Sequence, residues 1–154
     1  MNKTKLLLCI NDTPHSRVTL RFACSKAKKS GYAVEMLHVI DTADNQNFLS
    51  MADVMRQEQR DEAEELLKKF ADECYETYGV TPSLLIKEGL IGEQIVATAQ
   101  ADLGINMLLV GTSPETVARS NLIPWLTGQL GSKLQIPMLI IPGNLTDQQI
   151  DELT

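Results

Sequence analysis

Short runs that are apolar at every position alternate along this chain with longer segments that are apolar only at helical spacing. Residues 5–10, Lys-Leu-Leu-Leu-Cys-Ile, show no period of two, the pattern of a strand covered on both faces. After Pro14, Leu20, Ala23, Cys24 and Ala27 fall at i, i+3, i+4 and i+7, and Gly31 closes that helix. Residues 33–40 are a second strand. Residues 48–78 form a long amphipathic helix with Ala63, Leu66, Leu67, Phe70, Cys74 and Tyr78 on its buried stripe. Its other face is charged, with Glu64 and Glu65 set four residues before Lys68 and Lys69. Residues 83–87 are a third strand. Ile91, Ile95, Ala99 and Leu103 then share a helix face, and Gly104 ends that helix. Residues 107–110 are a fourth strand, Pro124 opens a helix running to about residue 134, and residues 136–141 are the last strand.

The order β-α-β-α-β-α-β-α-β predicts a single doubly wound α/β domain of Rossmann-like type. Right-handed crossovers put helices on both faces of a five-stranded parallel sheet in the order 3-2-1-4-5. The domain spans residues 1–142. Residues 143–154 are a tail in which Thr146-x-x-Gln149 has the form of a capping box and predicts a short helix.

Composition narrows the function. The chain has 154 residues, a formal net charge of -6 and 22% charged residues, which suits one globular domain and excludes disorder. The acidic balance argues against a protein that tracks nucleic-acid phosphates. No apolar run approaches the ~20 residues that span a bilayer. The short apolar start ends in Asn11-Asp12 and does not read as a signal peptide. Cys9, Cys24 and Cys74 form an odd, widely spaced set with no C-x-x-C, which predicts no disulfide framework and a cytoplasmic location.

In an open parallel sheet, ligands bind beyond the carboxyl ends of the strands where the winding reverses. Here that crevice lies between strands one and four, faced by the loops 11–14 and 111–114. Both carry short polar side chains, and Gly111 permits close backbone approach. The same residues serve equally well as a helix cap and a chain turn. The catalytic inventory is thin. His15 reads as a polar surface residue and His38 as a satisfied, partly buried one. Lys26, Lys28 and Lys29 read as a solvated helix end. Glu88 and Glu93 read as solvated surface, and Cys9 as buried and inert. No metal-ligand spacing, phosphate-loop motif or nucleophile elbow is present.

Five motifs in order resemble the universal stress protein family along nearly the whole chain. These are Leu6-Leu7-Leu8-Cys9-Ile10-Asn11-Asp12, Leu37-His38-Val39-Ile40, Lys87-Glu88-Gly89, Asn106-Met107-Leu108-Leu109-Val110-Gly111-Thr112 and Ile136-Pro137-Met138-Leu139-Ile140-Ile141. The resemblance implies a cytoplasmic stress-response protein, usually a dimer, in a family many of whose members bind ATP or AMP. Its nucleotide-binding members carry G-x2-G-x9-G-[ST] after strand four. In this sequence Gly111 holds the first position, but Pro114 and Pro124 hold the glycine positions that follow and Trp125 replaces the hydroxyl residue. Proline removes an N–H donor and adds a ring where phosphate oxygens would pack. The acidic residue near the ribose in such members aligns with Asn11, which keeps hydrogen-bonding capacity but has no charge.

Each lost charge-assisted contact is worth roughly 1.5–3 kcal/mol, so losing two or three takes a micromolar site to millimolar. The expectation is a non-enzymatic homodimer with no tight ATP binding, no cofactor and no metal, acting on an unidentified protein partner. A weaker or different ligand would rest on Asn11, Asp12, Val39, Gly111, Thr112 and Ser113. The dimer would form through the last strand, by Ile136, Met138, Leu139, Ile140 and Ile141, which sits at the sheet edge and is apolar on both faces. The competing expectation is a monomer whose tail helix covers that strand. An ATP- or AMP-binding sensor or slow ATPase with an altered phosphate loop is the alternative function. A flavodoxin or phosphoacceptor receiver shares the sheet order but lacks its chemistry here.

Overall fold

The computed structural model describes residues 4–10, 14–41, 53–112 and 133–154. Within them the elements run β1 (Lys5–Cys9), α1 (Pro14–Ser30), β2 (Ala33–Asp41), α2 (Asp53–Tyr78), β3 (Ser83–Gly89), α3 (Ile91–Ala101), β4 (Ile105–Thr112), β5 (Met138–Pro142) and α4 (Asp147–Leu153). The strands form one sheet in the order β3-β2-β1-β4-β5, and every neighbouring pair is parallel. The doubly wound reading from the periodicity holds. The helix expected to open at Pro124 lies outside the described residues.

The uninterrupted apolar runs have the predicted cause, because the sheet carries a core on each face. Leu6, Leu8, Val34, Met36 and Leu109 pack with α1 and α2 residues such as Leu20, Ala23, Leu67 and Phe70. Leu7, Leu37, Leu108 and Val110 pack on the other side with Ile95, Val96 and Ala99 of α3. Alternate residues of one strand thus feed opposite cores, which is why Leu6–Leu8 of β1 and Met107–Val110 of β4 are apolar at every position.

Several boundaries differ from expectation for local reasons. β4 starts two residues early at Ile105 and runs on to Thr112, because the ladder to β1 and β5 continues at both ends. α3 stops at Ala101, so Leu103 leaves the helical stripe and is 94% exposed. Asp102 turns the chain there: its side chain accepts from the Gly104 backbone N–H at 2.9 Å and from Lys5 Nζ at 2.6 Å. Ile136 precedes β5 instead of lying in it, and it packs partly buried against the α3-side core.

The cysteine expectation is overturned. Cys24 of α1 and Cys74 of α2 form a disulfide, with Cα atoms 6.3 Å apart. The two residues lie 50 positions apart and meet because each falls on the buried stripe of a helix on the same face of the sheet. Linear spacing carries no sign of that.

The tail is built into the molecule. α4 has the predicted capping box: Gln149 N donates to Thr146 Oγ1 at 3.2 Å, and Thr146 N donates to Gln149 Oε1 at 2.9 Å. It docks on α1. Ile150 is buried in the α1/α2-side core, Arg21 pairs with Asp147 and Lys29 with Asp151, both at 3.0 Å. The Lys29 partner explains part of the basic helix end.

Candidate functional site

The crevice position follows from the winding. β1 lies between β2 and β4, and the chain crosses to one side through α1 and to the other through α3, so the carboxyl ends of β1 and β4 border the reversal point. Around it the described residues are tightly knit. Ile10 continues the β1 ladder by donating its N–H to Leu37 O at 2.9 Å. Its own carbonyl accepts from His38 Nδ1 at 2.8 Å, which fixes the proton on that ring nitrogen and makes His38 the satisfied, partly buried residue expected.

On the β4 side, the first turns of α1 close against the strand ends. Thr19 donates its hydroxyl to His15 O at 3.1 Å, and a Cβ placed on Gly111 would collide with that hydroxyl oxygen. Gly111 therefore lets α1 approach β4, a packing role distinct from both the turn and the ligand approach inferred from sequence. His15 Nδ1 lies 3.3 Å from Gly143 O, and a Cβ on Gly143 would meet Thr112 O and the His15 ring. His15, Thr19 and Gly143 form a plug that sequence reading missed. His15 and Gly143 are 128 positions apart, and no motif connects them.

Of the six expected ligand residues, Val39, Gly111 and Thr112 are described, while Asn11, Asp12 and Ser113 lie outside the described residues, as do Pro114, Pro124 and Trp125. Val39 is only 7% exposed and faces the α3-side core, so its side chain is a wall of the fold more than a contact surface. Thr112 Oγ1 donates to Ile141 O at 3.5 Å, a long and weak bond.

The titratable groups offer no acid–base pair among the described residues. Burial pushes the Cys9 thiol up to about 12, so it is no nucleophile at neutral pH. Glu88 is held by Arg60 at 3.2 Å. Among the described residues no cluster of His, Cys, Asp or Glu could hold a metal ion, and no helix is long and apolar enough to cross a membrane.

A doubly wound five-stranded parallel sheet whose winding reverses between β1 and β4 defines the class of Rossmann-like α/β domains. The universal stress protein family matches residues 3–142, and the chain belongs to that family. The fold is shared with UspA from Lactobacillus plantarum, at a TM-score of 0.71 and 15% identity, over 92% of this chain and 99% of that one. A universal stress protein from Archaeoglobus fulgidus in complex with dAMP has a TM-score of 0.64 at 20% identity, over 92% and 99%. A universal stress protein in complex with cAMP has a TM-score of 0.62 at 13% identity, over 94% and 100%. No curated protein matches the chain.

Proposed function

We propose that this chain is a non-enzymatic, cytoplasmic stress-response protein that works as a homodimer through protein contacts, its crevice not holding ATP tightly. The observation that carries the reading is the edge position of β5. In the β4/β5 ladder, Leu108 N donates to Pro137 O and Leu108 pairs with Met138. Parallel pairing then turns the N–H and C=O groups of Met138 and Ile140 away from β4. Ile140 is 41% exposed, and α4 packs on α1 instead of across this strand. Such an edge favours pairing with a second copy. Ile141, by contrast, is buried in the core, Leu139 packs against that same core, and Ile136 lies before the strand. The interface would therefore use strand backbone with Met138, Ile140 and Leu139, and only indirectly the other two.

The nucleotide half of the proposal rests on Pro114, Pro124 and Trp125 standing in the family's glycine motif, and on Asn11 standing for its acid. A second reading, a nucleoside monophosphate sensor, draws support from the family members solved with dAMP and cAMP. Isothermal titration separates the two. Millimolar or absent ATP and AMP binding is expected; a micromolar AMP constant moves the function to the sensor, and a micromolar ATP constant overturns the altered-loop argument.

A further inference from the structure

We propose that Cys24 and Cys74 are a reversible oxidation site through which a peroxide fixes α2 against α1. The pair sits on facing helices with both residues buried, at 0% and 2% exposure. Its third potential partner is out of reach: Cys9 packs with the core on the opposite face of the sheet, behind β1. The oxidation therefore has one intramolecular product.

What the bond holds is α2. Its buried residues, Ala63, Leu67, Phe70 and Cys74, all lie beyond its first ten residues. Ion pairing of Arg17 with Glu73 at 3.1 Å and the stacking of Arg17 over Phe70 are further described ties to α1, and both lie near the disulfide. Reducing it leaves a helix whose first ten residues include no buried one, tied there by the exposed Arg60–Glu88 pair. Disulfides that form in a reducing cytoplasm are transient and redox-sensing far more often than structural, so this inference, which rests on the cytoplasmic reading proposed above, takes the bond as one that is made and broken.

The step balances. The sulfur of one deprotonated thiol attacks a peroxide oxygen, the O–O bond breaks, and a sulfenic acid and hydroxide form. The second sulfur then attacks the sulfenic sulfur, the S–O bond breaks and water leaves. In total two thiols lose two electrons and two protons, and one peroxide becomes two waters. Because both sulfurs are buried, reaction proceeds from a state in which α2 has opened, and closure traps the product.

The test uses the full chain, reduced with dithiothreitol and then treated with hydrogen peroxide, so that no variant need fold. Peptide mapping should show a single Cys24–Cys74 link, reversed by dithiothreitol, and hydrogen exchange in α2 should slow about tenfold on oxidation while α3 is unchanged. A Cys9→Ala variant should behave identically. Thiols that remain alkylatable after peroxide, oxidation to sulfinic or sulfonic acid, a link involving Cys9, or equal α2 exchange in both states would each overturn the proposal. None of these results touches the nucleotide or dimer readings.

Discussion

Gly111 has a packing role that its sequence context does not announce. A glycine leaving a strand beside a family motif suggests a turn or a phosphate approach, but here the space its Cβ would occupy belongs to the Thr19 hydroxyl. Gly111→Ala should therefore destabilise by overpacking, about 1–3 kcal/mol in urea unfolding. Removing the hydroxyl should recover most of that loss in the Gly111→Ala/Thr19→Ala double variant, a coupling that a ligand-contact role would not produce. Lys5 and Asp102 form the second residue-scale case. The hydrogen bond from Lys5, then that from the Gly104 N–H, holds the Asp102 carboxyl below its usual 3.8. Below that value the unfolded chain binds the extra proton, so the stability from this contact is complete above pH 3.8 and drains as pH falls through the lower folded value. Asp102→Asn should flatten the acid limb of a stability–pH curve. The pair is partly solvent-exposed, so the change is modest. Neither contact was legible, because each depends on what another element lays across the residue.

At the scale of elements, legibility follows the range of the interaction that makes each one. The capping box of α4 is a four-residue pattern and is readable; so are β1 and β4, whose apolar runs reflect burial on both faces. The docking of α4 on α1 and the Cys24–Cys74 bond are not, since both join segments far apart in the chain. The end of α3 failed for a related reason. A stripe ending in Leu103 looked complete, but Asp102 is drawn off by Lys5 from the start of β1. For α4 the contributions separate by burial. Ile150 is 1% exposed, so Ile150→Ala should cost about 2–5 kcal/mol of unfolding free energy. Asp147→Asn and Asp151→Asn, which break exposed ion pairs, should each cost under about 1 kcal/mol and less still at high salt. Equal losses from all three would mean that charge, not the apolar anchor, seats the helix.

For the whole molecule the sheet order decides what is left open. A doubly wound sheet covers its faces with helices but leaves two edge strands, β3 and β5. The outward N–H and C=O groups of β5 come from Met138 and Ile140, while Pro142 has no N–H to offer and Pro137 ends the run on the other side. An isologous antiparallel pairing that uses both donors without meeting a proline centres its two-fold axis at Leu139, with Met138 opposite Ile140 of the second copy. A lysine at position 140 would bring like charges near this axis in a low-dielectric interface. Because Ile140 is 41% exposed in the isolated chain, Ile140→Lys should leave the fold intact. Light scattering at micromolar concentration should read about twice 17.1 kDa for the native chain and 17.1 kDa for the variant, with unchanged circular dichroism. If the variant keeps the native mass, the two copies meet elsewhere, and the outward groups of β5 must be met by water or by another part of the chain.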